Sequence, residues 1–600
     1  MRTVHWLFVA AIAACSHVVA LAQEETTPAD TSTATPWISV TGAASVTSDF
    51  YEHSSNPTGA QAGRRPAALH RLVFTPTINI AGLLSLPLTL MVTYPETNTT
   101  TPSITAPSLA ELFANPANAL GLSSFSPKIG WAQLHLGSYT PQMSELSGGD
   151  LQIFGAGFDL TPGSVQLSAS RGISQRAVEP DADRNVAGSY RRDMTMARIA
   201  FGNPDSTSVG VNVVYAKDDP TSITNTITSI LPARPAEDDS SVVIPSDTLR
   251  LRAEEGAIAS INTKVVLGQA LTFSAEGALS IFTRDQRSNL VDPADNPASF
   301  LFDARTSTRI DGAGSASLSM RYSTWGVTVS GLYMGAGFQP LAYPFIQTDR
   351  LDLKVSPMLN LFNGDFTLSG TIGQRVNNLS ETKGEAMTQT IANGQMSLRF
   401  SDVFSLSSSY SNFGMRNNRQ NPLDSQRIQN VSESFSIDPM LTFTAGSVMH
   451  TVTASIGIDR FDDFNVVSGV ETSNNTRSAV LAYTGILEDI PLTIGANTSR
   501  VENILTNGTL KVESYGVNAS YRLLAGKLVP TVSMTLANSR FGSSPSDGQT
   551  FLRAGVRWRP TTNLTLLANY GASTYTYGTA TTKGTGFTEQ TLQLAVNTTF

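Results

Sequence analysis

The side chains best equipped for catalysis or metal binding are four histidines beyond residue 22: His53, His70, His135 and His450. They fall in separate segments, without the close spacing of a metal site, and read as polar residues of a rim or a lumen. His135 shares the polar side of its segment with Gln133, where a serine and a histidine could pair for ester hydrolysis. The sequence offers no G-x-S-x-G turn and no paired acid to go with it. Three acidic runs, Glu179/Asp181/Asp183, Asp292/Asp295 and Asp462/Asp463, could hold divalent cations through oxygen. None has EF-hand spacing, and all fall where outer loops are expected, so they read as solvated charge. The arginines Arg71, Arg250, Arg252, Arg553, Arg557 and Arg559 would select anions if they gathered on one wall; Glu254 and Glu276 favour instead a lumen wall laced with ion pairs. These residue types assign no catalytic group, no metal and no cofactor, and the chain reads as a non-enzyme.

The elements that must position these residues are strands. Only 15% of the chain is charged and 40% is apolar, with the apolar residues spread thinly rather than gathered into blocks. The longest apolar stretch of the mature chain, Ile80 to Val92, is about 13 residues long and is broken by Ser85 and Pro87, too short for a spanning helix. From Trp37 onward the chain repeats a segment of period-2 alternation followed by a turn or loop, about 25 times. Before Pro560, Leu552, Ala554, Val556 and Trp558 share one face while Arg553, Gly555, Arg557 and Arg559 share the other. The same alternation runs through Leu249–Glu254, Leu271–Ile281 and Ser208–Tyr215. In lipid every backbone polar group must be paired within the protein, so strands of this kind span only as a closed barrel, apolar face outward. A soluble sandwich or β-helix also alternates, but it would not need so many tandem strands.

Short turns (TPGS, GNPDS, NGD, AGK, PTTN) alternate with longer loops, the longest near 97–124, 217–246 and 286–308. Short turns belong in the periplasm and long loops outside. Walking back from a last strand that ends in the periplasm, the alternation fails by one near Trp131, unless FSPKIGWAQLHLGSYTP forms two short strands around a tight turn at Gly130-Trp131. The expected fold is therefore one all-β, antiparallel transmembrane barrel of 26 strands, with 24 the alternative count and no plug domain. Trp37, Trp131, Trp325 and Trp558 all fall at the expected periplasmic rim, as an aromatic girdle would. In RRDMTMARIAF, Met194 and Met196 share parity with Arg198, which predicts a bulge or register shift.

The last strand, TLQLAVNTTF, sets Leu592, Leu594, Val596 and Phe600 on one face. It resembles the C-terminal assembly signal of bacterial outer-membrane proteins, which implies delivery by the barrel-assembly machinery; Thr598 departs from that pattern. GRRPAALHRLVFTPTINIAGL from Gly63, SPKIGWAQLHLGSYTP, and GAGFDLTPG from Gly155 resemble segments of uncharacterised large barrels of Bacteroidota-type bacteria. That likeness implies fold and location only.

Residues 1–22 read as a secretory signal cleaved after Ala22, with Ile12-Ala13-Ala14-Cys15 the competing lipoprotein box. Residues 23–36 read as a periplasmic linker and 37–600 as the barrel. Cys15 is the only cysteine, so cleavage after Ala22 leaves no thiol. A net charge of −8 without a basic tract argues against nucleic acid as a partner. The expected partners are outer-membrane lipids, the assembly machinery, and a plug or lipoprotein. With no globular domain ahead of Trp37, a TonB-dependent receptor is disfavoured. SLAELFANPANAL, Ser108 to Leu120, has helical spacing and reads as a lid, a constriction or loop filler. The function expected is a transport or export conduit, porin-like or plugged by a partner. The alternative is a non-conducting structural or surface-display barrel whose outer loops do the work.

Overall fold

The structure, a computed structural model, describes residues 37–600 apart from 57–62, 82, 97–122, 182–185, 187, 232–233, 236–242, 245–246, 293–302, 342–345, 422, 466, 468–471 and 579–584. The expected signal segment, linker and Ser108–Leu120 helix lie outside the described residues, as do Asp183 and Asp295. The first strand, Ile38–Asn56, pairs antiparallel with Ala68–Ile80 on one side and with the last strand, Gly586–Thr599, on the other, so the sheet closes on itself. Of its 27 strands, Ser123–Phe125 and Lys128–Ile129 lie end to end between the same two neighbours and make one stave. The wall is a closed antiparallel barrel of 26 strands. Among the described residues no helix is long and apolar enough to cross a membrane. A closed barrel pairs every wall strand on both sides and crosses by strands instead, which places the chain in the cell outer membrane.

The tight turn expected at Gly130-Trp131 is present, with Gly130 at φ +54°, a left-handed conformation that favours glycine. It turns the broken stave back into Ala132–Tyr139. The break follows from Pro127, which has no N–H to give to the ladder; around it the chain is held by Ser126 N–H donating to the Pro87 carbonyl at 3.0 Å. Gly446, at φ +62°, plays the equivalent part in the two-residue turn between Gln429–Ala445 and Val448–Asp463.

Alternate residues report the two faces. In Ser208–Asp219, Val209, Val211 and Val213 are exposed while Asn212, Val214 and Ala216 are buried. Leu552, Val556 and Trp558 are likewise exposed on one face of Asp547–Trp558. The exposed apolar rows form the lipid face. Every connection at one rim is short and all the long ones lie at the other, and Trp37, Trp131, Trp325 and Trp558 all sit exposed at the short-turn rim.

Three local expectations are corrected. The run 249–254 is not a wall strand: Arg250 ends a small hairpin in which Asp247–Arg250 pairs with Ile227–Leu231 within a long connection. The wall resumes only at Glu255, so Arg250 and Arg252 do not line the barrel wall. RRDMTMARIAF pairs continuously with Ser208–Asp219 from Arg191 to Gly202, and the expected register shift occurs only on its other side, between Ile173 and Gln175 opposite Asp193 and Arg192, away from the two methionines. Asp462 and Asp463 end the strand Val448–Asp463 rather than lying in a loop.

Candidate constriction in the lumen

Over their described residues, two connections on the long-loop side turn into the lumen. Residues 140–152 join Ala132–Tyr139 to Ile153–Leu160, and residues 335–349 join Trp325–Met334 to Arg350–Leu361. Both bury lumen-facing side chains that a water-filled pore would leave polar. Tyr139, Ile153, Met194, Met196, Val214, Ala216, Phe282 and Leu341 form one apolar cluster, with Met143 and Leu151 packed against it. Leu146, Phe338, Ile258, Ala313 and Met334 form a second. The two methionines that suggested a bulge are thus in register, and the inward loops cover them. Each large side chain taken from water here contributes about 1.5–3 kcal/mol, enough to hold short loops against the wall.

Polar contacts fix where the loops sit. The Glu276 carboxylate accepts from Ser144 Oγ at 2.6 Å and from the Leu146 N–H at 3.2 Å, while Ser144 Oγ also meets Ser260 Oγ at 2.9 Å. Glu276, expected to join an ion-paired wall, makes no salt bridge among the described residues and serves as the anchor of a loop instead. The second loop is held by the Gly337 N–H on Asp311 Oδ2 at 2.6 Å, and by the Leu341 carbonyl, which accepts from Arg192 at 3.2 Å. Arg192 is itself buried, forked onto Asp218 at 2.7 and 3.1 Å and reaching Glu254 at 2.9 Å. Glu254, one residue ahead of its strand, therefore does meet a lumen charge.

Under these loops, on the short-turn side, is a cavity of about 530 Å³. Its wall carries one unbroken cross-strand row, Lys264, Ser274, Ser317, Ser330 and Lys354, on five consecutive strands. The adjacent row holds Glu276 and Asp352. Asp352 is neutralised by Arg375, which donates to both its oxygens at 2.7 and 2.8 Å. Neither lysine makes a salt bridge among the described residues, and the cavity lining as a whole matches its three cations, Arg198, Lys264 and Lys354, with three acids, Glu145, Glu276 and Asp352.

The other expected residues lie elsewhere. Arg553 and Arg557 share the lumen face of Asp547–Trp558, and both are exposed; Arg559 lies in the turn beyond it. Leu592 and Leu594 are exposed on the lipid face, Val596 shares their parity, and Phe600 exchanges backbone hydrogen bonds with Gly42 at 2.7 and 3.0 Å. Thr598 is buried on the same strand, opposite Ala44. Arg71 pairs opposite Thr47 on the lumen side.

The histidines separate by environment. His53 lies 4.0 Å from Glu589, His70 meets Ser48 Oγ at 3.1 Å, and His450 meets the Tyr483 hydroxyl at 2.9 Å and stacks on Phe443 near the short-turn rim. His135 has the paired acid that the sequence did not reveal. Its Nδ1 meets Ser126 Oγ at 3.1 Å and its Nε2 meets Asp159 Oδ2 at 2.8 Å, with Tyr139 stacked on the ring. These three residues tie the broken stave to its next two neighbours across the lumen face, at the point where Pro127 interrupts the backbone ladder. Among the described residues no three His, Cys, Asp or Glu side chains gather as a metal site.

No family model and no curated protein matches the chain. Among solved structures it is similar to OccAB2 of Acinetobacter baumannii, with 10% identity, 59% of this chain and 93% of that one covered, and a TM-score of 0.28. It is also similar to the outer-membrane protein OpdK of Pseudomonas aeruginosa (9% identity, 58% and 95% covered, TM-score 0.30). OccAB4 of Acinetobacter baumannii matches with 11% identity, 66% and 100% covered, and a TM-score of 0.29. Likeness at this level carries neither substrate nor site, and the fold stands on the chain's own strand pairing.

Proposed function

We propose that the chain is a conduit across the outer membrane whose lumen is partly roofed on one side by two inward loops and bare on the other. The observation that carries this reading is the second half of the wall. Along Leu528–Phe541, Asp547–Trp558 and Leu564–Thr576, lumen-side residues such as Thr531, Arg553, Arg557 and Asn569 are as exposed as their lipid-side neighbours. Twenty-six strands about 4.8 Å apart and tilted near 40° enclose a backbone diameter on the order of 50 Å if the section is circular. A loop of 13 or 15 residues that leaves the wall and returns reaches inward at most about 25 Å, so neither roof crosses such a lumen. A plug or lipoprotein partner fits that geometry, as does a flattened cross-section. The likeness to large Bacteroidota-type barrels belongs with this reading and speaks to location alone.

Single-channel recording in planar bilayers tests it. The purified protein, stripped of partners, is expected to conduct, and the same protein isolated with its native-membrane partners to conduct less. Silence in both forms would sink the conduit and favour the display barrel.

A further inference from the structure

The lipid-facing wall carries charges that the transport reading does not use. Arg477, Glu502, Lys511 and Arg540 form one directly paired row across Asn474–Leu487, Leu492–Leu505, Gly508–Tyr521 and Leu528–Phe541. They share parity with Leu481, Ile494, Val517 and Met534, all exposed on the lipid face, so the row points away from the lumen. Arg500 and Glu513 stand opposite one another one step below it, and Arg460 lies on the neighbouring strand Val448–Asp463. A charge at the bilayer midplane of a barrel costs about 2–4 kcal/mol, but near the interface about 0–1. The row stands at an interface. From Tyr521, at the short-turn end, to Lys511 is ten residues, which at about 3.4 Å each and a tilt near 40° is about 26 Å, one hydrocarbon thickness.

The row does not balance internally. Its one acid, Glu502, is already shared by Arg500 Nε at 3.1 Å and Lys511 Nζ at 3.3 Å. Arg460 is taken by Asp462 at 2.7 Å. Arg477 and Arg540 make no ion pair among the described residues, and Arg540 stands directly opposite Lys511, a like-charge pairing that destabilises a ladder unless an anion sits between. The connections described in full at this point are short, Thr506-Asn507 and residues 542–546, and of the one beside Arg477, residues 464–473, only 464–465, 467 and 472–473 are described. A second set of outward charges, on the opposite side of the barrel, behaves differently. There Arg191 meets Asp219 at 2.9 Å and Lys217 meets Glu255 at 3.2 Å, so each cation has its own acid.

We propose that Arg477, Lys511 and Arg540 form a binding site for the phosphate of a phosphorylated glycolipid in the outer leaflet. The arginine forks supply paired N–H donors and Lys511 a point charge, while the acyl chains lie along the apolar rows below.

The test uses the full-length protein, folded in detergent micelles, with a bisphosphorylated lipid A and its dephosphorylated counterpart as probes and native mass spectrometry as the readout. The wild-type protein is expected to retain the phosphorylated lipid at least about tenfold more tightly than the dephosphorylated one. Arg477→Gln with Arg540→Gln is expected to erase that preference, while Arg191→Gln leaves it intact. The heat-dependent gel shift of a closed barrel shows that each variant is folded. Equal binding of the two lipids by the wild type overturns the proposal whether or not the double variant folds. So does a preference that survives the double substitution, or one lost equally in Arg191→Gln.

Discussion

Glu276 shows how one side chain can be placed correctly and still be misread. Its parity puts it on the lumen face, and there it is, yet the partners it meets are a serine and a backbone N–H from a loop more than 120 residues earlier in the chain. A buried carboxylate that loses its donors, or donors that lose their carboxylate, cost about 1–3 kcal/mol each. Glu276→Ala is therefore expected to free residues 140–152 from the wall, with Glu276→Gln intermediate because its amide oxygen still accepts one bond. Hydrogen exchange at the Leu146 amide reads this directly. Faster exchange in the alanine variant than in the glutamine variant is the expected order, and equal protection in all three proteins would mean that apolar packing alone holds the loop. Arg192 carried no signal in the sequence, because nothing in RRDMTMARIAF says that Asp218, Glu254 and the Leu341 carbonyl will converge on it.

At the scale of elements, alternation is legible and coverage is not. Period-2 spacing identified the wall strands, their faces and the turn at Gly130-Trp131, because a one-residue slip would move every apolar side chain to the wrong solvent. It misassigned Leu249–Glu254, where alternation occurs in a loop hairpin, and it treated Met194 and Met196 as errors in a polar face. Their burial depends on loops from elsewhere in the chain, and periodicity carries no information about those. The signal that could have found them is the clustering of apolar residues at lumen parity: Met194, Met196, Val214, Ala216, Ile258 and Met334 all fall on one side of the barrel. Outside the wall, loops also clasp one another. Glu179, expected as solvated charge, accepts from the Thr224 N–H at 2.7 Å, the Thr224 hydroxyl at 2.9 Å and the Asn225 N–H at 3.0 Å. Those donors, the Thr224 N–H foremost, hold its carboxyl below the usual glutamate range. A depressed acid contributes its stabilisation above the unfolded value and loses it as pH falls through the lowered folded value. The clasp of Glu179 on Thr224 and Asn225 is thus expected to stay closed at neutral pH and to open only below the ordinary glutamate range. The protection of the Thr224 and Asn225 amides, taken relative to the intrinsic exchange rate at each pH, should fall on acidification across that range, and Glu179→Gln should flatten the dependence; unchanged pH dependence in the variant would assign the clasp to other groups.

The whole molecule is polarised in two directions, around its circumference and along its axis. Around it, the inward loops occupy the side from Ala132 to Asn377, and the unbalanced lipid-side row occupies Asn474 to Phe541, so the half that is bare inside is the half that carries free cations outside. Along the axis, every connection at one rim is short, and the four tryptophans beyond residue 22 and the closing contact of Phe600 with Gly42 lie at that rim. That asymmetry is what a barrel inserted from one side would acquire. Short turns cross the bilayer first and at least cost, whereas connections such as 220–254 carry too many backbone polar groups to be drawn through lipid. The expected orientation therefore puts the short-turn rim in the periplasm. Asp205, in the Asn203–Thr207 turn whose Asp205 N–H donates to Asn203 Oδ1 at 2.9 Å, should then face the periplasm. Asp181, bridged to Val186 in a long connection, should face the medium. With no cysteine beyond Cys15 in the sequence, Asp181→Cys and Asp205→Cys each introduce a single thiol into the barrel. A membrane-impermeant maleimide applied to intact cells is expected to label the first and to reach the second only after the outer membrane is opened. The reverse order would invert the barrel, and the row proposed to hold outer-leaflet phosphate would then face the wrong leaflet.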